Sequence, residues 1–199
     1  MDIHQLELKQ VTGLNIKKYL DQIGELRIQI FREFPYLYDG NKEYEKEYLQ
    51  KYLETDDSLA LLLFDGNNLV GCSTGIPLED ESSAFRDPFL KAGIDPQKVF
   101  YCGESVLRKE YRGLGIYKHF FTEREKHARN LGRFDLITFC AVVRPNNHPL
   151  KPDNYEPLDP VWEKYGYRKQ PSIKAMFPWK DLNEPDESEK EMIFWTKPL

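Results

Sequence analysis

The chain has 199 residues, 40% of them hydrophobic and 31% charged, with a net charge of −5. This length fits one domain, 1–199, large enough to bury a substantial core and too short for a second. The mildly acidic balance is spread along the chain and speaks against a nucleic-acid surface, and no apolar run approaches membrane-spanning length.

Met1-Asp2-Ile3-His4 lacks a basic segment with an apolar run behind it, so a cytoplasmic protein is expected. Cys72, Cys102 and Cys140 sit in three separate apolar runs and share no metal-ligand spacing. They read as buried free thiols of a reducing compartment, with no metal site expected.

Ile3 to Val11 alternates weakly and predicts a first strand. Ile16 to Phe34 carries apolar residues at Ile16, Leu20, Ile23, Leu26 and Ile30, a helical spacing. A second helix is expected over Glu43 to Leu53, after the turn Asp39-Gly40-Asn41. Leu59 to Phe64 predicts a buried strand. Asp65-Gly66-Asn67-Asn68 is a hairpin signal, and Leu69 to Ile76 returns as the next strand. A short helix near Pro88 to Ala92 precedes a fourth strand, Val99 to Leu107. A third main helix follows over Ile116 to Leu131 and stops at Gly132. Leu136 to Val143 is a fully apolar fifth strand. Val161 to Tyr165 predicts a short helix, and Ile173 to Trp179 with Glu191 to Trp195 a closing strand pair.

Between the fourth strand and the third main helix the chain reads Arg108-Lys109-Glu110-Tyr111-Arg112-Gly113-Leu114-Gly115-Ile116-Tyr117. Glycines spaced by one residue allow a sharp turn in which several N–H groups face one anion, and the helix adds its positive end. A diphosphate ligand fits this arrangement. A Walker-type loop does not, because Ile116-Tyr117 follows Gly115 where Lys-Ser/Thr is needed. A dinucleotide fingerprint lacks its third glycine, Lys118 standing there, and Asp135 precedes a strand instead of ending one. Alternatively, Gly113 and Gly115 simply shape a strand-to-helix turn.

Arg112-x-x-Gly115 within Tyr-Arg-Gly-Leu-Gly-Ile resembles the pyrophosphate loop of the GCN5-related N-acetyltransferases (GNAT), with Tyr117 in place of a usual small residue. Val161-Trp162-Glu163-Lys164-Tyr165-Gly166-Tyr167 resembles that family's Tyr-Glu-Lys-x-Gly-Phe ending, and the element order matches over nearly the whole chain. The resemblance implies an α/β (α+β) fold: a mixed, mostly antiparallel sheet of six to seven strands, splayed between the fourth and fifth, flanked by about four helices. It also implies acetyl-CoA as acyl donor and an amine acceptor that attacks the thioester directly in a ternary complex. Backbone groups of Arg112, Gly113, Leu114, Gly115, Ile116, Tyr117 and Lys118 would hold the diphosphate, with Arg112 and Lys118 adding positive charge. Ser105, Val106 and Leu107 would pair with the pantetheine arm. Dimers are common in the family, so a homodimer is one expected assembly.

Acetyl transfer to an amine needs a base, a polarised carbonyl and a proton for the thiolate. Glu104 is the candidate base, because a charge inside the apolar run Phe100 to Leu107 is costly unless it faces a cleft or a partner. A structural carboxylate is the alternative. Gly103 beside it marks a bulge where the strand splays. Aligned on the resembled ending, Trp162 stands at the general acid's tyrosine position and has no suitable proton; either the thiolate departs with solvent help or another tyrosine acts, Tyr155 being the candidate and Tyr165 the other choice, and both also read as packed aromatics.

Arg144 to Pro160 contains Pro145, Pro149, Pro152, Pro157 and Pro160 and predicts a stiff irregular loop, with Asn146, Asn147, His148, Tyr155 and Asp159 available to frame an acceptor pocket. Phe34-Pro35-Tyr36-Leu37-Tyr38 is a second candidate wall. Asp181, Glu184, Asp186, Glu187 and Glu189 read as a solvated hairpin loop. Two other classes stay open: a non-catalytic acetyl-CoA-binding protein, and an acyl hydrolase using Cys102 or Cys140 with His148.

Overall fold

The computed structural model describes residues 6–199 and joins the strands of those residues in one eight-stranded sheet. Strand β1 (Leu6–Val11) pairs antiparallel with β2 (Leu59–Asp65), and β2 with β3 (Asn68–Pro77). The remainder of the expected first strand, from Ile3, lies outside the described residues. Beyond β3 come β4 (Val99–Tyr101), β6 (Leu136–Val142), β8 (Ser188–Pro198) and the edge strand β7 (Arg168–Trp179), while β5 (Ser105–Leu107) pairs with β3 alone. Only β4 and β6 run parallel.

Leu59 to Phe64 is buried on both faces, which is why it reads as an unbroken apolar run. Leu62 packs under α1 (Leu20–Phe31) and α2 (Lys42–Glu54) with Ile23, Leu26 and Leu49. Its neighbours Leu61 and Leu63 point the other way, onto α4 (Ile116–Leu131) with Phe120 and Phe121. The sheet is thus covered on both faces, with α3 (Ser83–Lys91) adding Phe89 to the first core. The expected helix from Ile16 is divided, Gly13–Tyr19 forming a 3₁₀ turn ahead of α1. Asn41 caps α2 by accepting from the Tyr44 N–H at 2.8 Å. Gly132, at φ +69°, closes α4 in the left-handed conformation that glycine adopts without a Cβ penalty.

The expected fourth strand is two strands, and its division creates the site. β4 pairs with β6 up to Tyr101↔Thr138, and the Cys102 N–H donates to the Thr138 carbonyl at 2.7 Å. From Gly103 onward the chain stays with β3 and leaves β6: the Thr74 N–H donates to the Glu104 carbonyl at 3.1 Å, and Ser105–Leu107 pair with Ser73–Gly71. β6 continues along β8 instead. A wedge therefore opens between β5 and β6, the splay expected between the fourth and fifth strands. Gly103 makes the change of partner sterically workable, because a Cβ there would overlap the Tyr52 hydroxyl and meet Thr74 Oγ1 at 2.8 Å. The strand count is eight and not six or seven because of this division. Strand β7 begins before its expected range and β8 extends past both ends of its own; the added residues are largely exposed and polar, so hydropathy marked only the second half of β7 and the middle of β8. The short helix α5 (Asp159–Lys164) follows the proline-rich loop. Among the described residues no helix is long and apolar enough to cross a membrane.

Candidate active site

Gly113 and Gly115 stand at φ +80° and +79°, both left-handed, with open space where a Cβ would point. This geometry turns the chain from β5 into α4 and leaves its first amides facing the cleft, since the opening N–H groups of a helix have no intrahelical acceptor. The Lys118 N–H closes the first turn on the Gly115 carbonyl at 3.1 Å. Arg112 holds the turn in place: its Nε donates to the Leu107 carbonyl at 3.0 Å and its Nη1 to Glu33 Oε2 at 2.8 Å. Its charge is therefore shared with Glu33 at the end of α1, whereas Lys118 is exposed with no ion-pair partner among the described residues.

From this turn a cleft of about 1240 Å³ follows the wedge. One wall carries Ser105, Val106 and Leu107 of β5 and then Arg112, Gly113, Gly115, Ile116, Tyr117 and Lys118. Of the ten residues expected to touch the cofactor, only Leu114 lies off this wall, with its side chain partly in solvent. The opposite wall is Ala141, Val142 and Val143 of β6 and beyond, with Trp162 and Tyr165 of the α5 region. The outer rim is the Phe34-Pro35-Tyr36 segment and the proline-rich loop, where Tyr155 sets its ring edge-on against Phe34 at 4.6 Å. Both candidate acceptor walls thus converge on one opening. Arg144 joins them: it donates to the carbonyls of Pro35 and Tyr36 at 2.7 Å each and pairs with both oxygens of Asp181 at 2.6 and 2.9 Å. Asp181 is 1% exposed, so the acidic hairpin is not simply solvated; its first residue is the buried counter-ion of this clamp.

At the inner end lies a smaller cavity of about 90 Å³, bordered by Cys102, Gly103, Glu104, Ser105, Tyr117, Arg124 and Trp162, with Phe31 and Tyr36 beyond. Glu104 is buried, and Arg27 of α1 forks between its Oε2 and Oε2 of Glu45 on α2. The second oxygen of each carboxylate has no hydrogen-bond partner. Burial pushes the Glu104 carboxyl above its ordinary value, against the opposing pull of Arg27. Two carboxylates on one guanidinium leave one negative charge over, which adds to the desolvation cost of the buried Glu104. The structure thus gives Glu104 both an ion-pair role and a place on the cavity wall.

Arg27 and Glu45 were missed from the sequence, yet a signal existed. Arg27 follows Ile23 by four and precedes Ile30 by three, inside the apolar stripe of its helix, and Glu45 stands likewise four before Leu49. Arg124 is a third such residue, beside Phe120 and Phe121 on the buried face of α4 and 2% exposed. Tyr155 lines the outer cleft and not the inner cavity. The thiols offer little as nucleophiles. Burial raises Cys102 to about 11 and Cys140 to about 12, Cys140 Sγ lies 3.3 Å from the Tyr101 hydroxyl, and His148 borders neither cavity, its Nδ1 accepting from the Leu150 N–H at 3.2 Å.

A glycine turn on a helix start thus opens into a wedge between two strands of a mixed sheet. The sequence model of the acetyltransferase (GNAT) family matches residues 23–152. The chain belongs to that family. No curated protein sequence matches it. Among solved structures, Arabidopsis thaliana NAA60 in complex with a bisubstrate analogue superposes with a TM-score of 0.62 at 13% identity, over 97% of this chain and 99% of that one. A ribosomal-protein-alanine N-acetyltransferase from Brucella melitensis gives 0.60 at 12%, over 97% and 99%. An acetyltransferase from Thermus thermophilus gives 0.55 at 17%, over 100% of both. At these identities the likeness is one of fold.

Proposed function

We propose that this protein, as a single domain, transfers the acetyl group of acetyl-CoA to a primary amine by direct attack in a ternary complex. The observation that carries the reading is a shared wall. The cleft that runs from the turn at Gly113 and Gly115 along the unpaired edge of β5 has Ser105, Tyr117 and Trp162 in common with the inner cavity that Glu104 borders. A diphosphate suits the first end, because the two left-handed glycines leave the amides unobstructed. An extended amide-bearing arm suits the middle, where β5 offers backbone groups to no other strand. An amine entering between the Phe34–Tyr36 segment and the loop after β6 would reach the inner cavity from the other side.

In that cavity Glu104 takes a proton from the entering ammonium before it attacks, or from the amine nitrogen as it adds to the carbonyl, and the carboxyl's raised affinity for protons suits it to the task. Arg27 orients the carboxylate and limits how far burial raises it. Two of the solved structures support an amine acceptor: NAA60 is crystallised both with a bisubstrate analogue and with acetyl-CoA, and the Brucella melitensis protein is named a ribosomal-protein-alanine N-acetyltransferase. The reading is tested by thiol release from acetyl-CoA in the presence of a broad panel of amines and peptides. Amine-dependent release supports it. Tight acetyl-CoA binding with no release for any amine supports a non-catalytic binding protein in its place.

A further inference from the structure

Aminolysis of a thioester expels a thiolate, and expulsion is fast only when a proton meets the sulfur. The side chains on the inner cavity that carry an O–H or S–H are Tyr36, Cys102, Ser105, Tyr117 and Cys140. Ser105 Oγ is committed to Arg124 Nη1 at 2.7 Å and Ser73 Oγ at 2.8 Å. Cys140 is engaged with Tyr101, and both thiols are buried. Tyr36 packs at 4.6 Å against Phe31, at the amine entrance. Tyr117 stands elsewhere. Like Tyr36 and Ser105 it lines both the large cleft and the inner cavity, but it alone of these stands on the first turn of α4, two residues past Gly115. That position sets it between the glycine turn and the inner cavity.

The direction of its hydrogen bond matters. The indole Nε1–H of Trp162 donates to Tyr117 Oη at 3.4 Å, and an indole can only donate. The phenol oxygen is thus held as an acceptor while its own proton is left uncommitted. Arg124, two α4 turns further along, bonds Ser73 and Ser105 through Nη1, but its Nε and Nη2 have no partner and no carboxylate pairs with it among the described residues. A buried cation without a counter-ion favours a negative charge on the groups it faces. The other titratable groups facing Tyr117 are the phenols of Tyr36 and Tyr165.

We propose that Tyr117 is the general acid that protonates the departing thiolate, a role resting on the acetyltransferase reading above. The amine nitrogen bonds to the acetyl carbon, the carbon–sulfur bond breaks with its electron pair on sulfur, and the Tyr117 O–H proton passes to that sulfur. The phenolate left behind is stabilised by the Trp162 N–H and the Arg124 charge until a solvent proton restores it. Tyr117 and Trp162, both unusual against the resembled loop and helix, are then one device: the tyrosine has moved to α4 and the indole holds it.

The test does not depend on knowing the acceptor. CoA is titrated with pH in complex with the parent, Tyr117→Phe and Tyr36→Phe proteins, and the thiolate absorbance of the bound ligand is read after subtracting each free protein. If Tyr117 donates to the sulfur, Tyr117→Phe raises the pKa of the bound thiol by about one unit, a tenfold loss of thiolate stabilisation, while Tyr36→Phe leaves it in place. With a working amine, Tyr117→Phe lowers kcat by about a hundredfold with KM for acetyl-CoA unchanged. A bound thiol that titrates alike in parent and Tyr117→Phe, or a shift that follows Tyr36→Phe, overturns the assignment. Should the parent acetylate no amine, the function reading fails, and the thiol titration still decides whether Tyr117 addresses the sulfur.

Discussion

Arg27 on α1 and Glu104, 77 positions later on the strand break, form a buried ion pair, and Glu45 shares the same guanidinium. The pairing ties the helical layer to the point where the sheet divides. It also sets the charge state of the carboxylate that borders the inner cavity.

Replacing Glu104 by Gln keeps the shape and removes the base. The expected outcome is a fall in kcat/KM of about a hundredfold or more, with CoA affinity retained because the diphosphate and arm contacts lie elsewhere. In the parent, activity should decline on the acid side as Glu104 takes a proton. That limb is centred above the ordinary carboxylate value of 4.5, since burial raises the group. Its absence in Glu104→Gln, measured as a pH–rate profile with a fixed amine, checks the assignment.

Arg27→Met strands two buried carboxylates. Loss of one partner of such a pair destabilises by about 3–5 kcal/mol, read as a lower urea midpoint. The pH dependence follows from the direction of the Glu104 shift. A carboxyl raised in the folded state binds its proton more tightly there than in the unfolded chain, so stability is lost as pH climbs from the ordinary value through the raised one. Without Arg27 that loss should deepen, and the gap between variant and parent should narrow at acid pH.

At Gly115, alanine introduces a left-handed residue into open space, so strain of about 1 kcal/mol is the only expected penalty. Aspartate adds a negative charge where an anion is to bind. Calorimetry with CoA should show weakening by at least about tenfold for Gly115→Asp, about 1.4 kcal/mol, and much less for Gly115→Ala. Equal binding by the aspartate variant and the parent would place the diphosphate elsewhere.

Arg144→Met cuts the clamp between the Pro35–Tyr36 segment, the loop after β6 and the buried Asp181. Because those segments frame the amine entrance, KM for the amine should rise several-fold more than KM for acetyl-CoA. Thermal stability should fall as Asp181 is left with Lys190, 3.7 Å away, as its remaining charge partner.

Sequence periodicity was enough for much of this architecture. Ile116 to Leu131 was bounded correctly at both ends because a glycine conformation marks each one, and the β2–β3 hairpin followed from Asp65-Gly66. Apolar continuity concealed the division of Val99 to Leu107: the change of partner at Gly103 is a backbone event that leaves the hydropathy pattern untouched. The cleft wall was legible because its residues fall in two short runs, 105–107 and 112–118, the second of which carries a motif. The inner cavity was not, since Glu104, Tyr117 and Trp162 come from a strand break and two separate helices and meet only in the fold. Arg27 and Glu45 did leave a trace, a charge inside an apolar helical stripe.

The central claim is that the acetyl group passes from acetyl-CoA straight to an amine. Mixing protein with isotopically labelled acetyl-CoA and an amine panel, then quantifying thiol, acetylated amine and intact protein mass together, tests it most directly. Direct transfer yields equal amounts of free CoA and labelled amide, with no acetyl adduct on the protein. Labelled acetyl retained on Cys102 or Cys140, or thiol release that no amine stimulates, would contradict it.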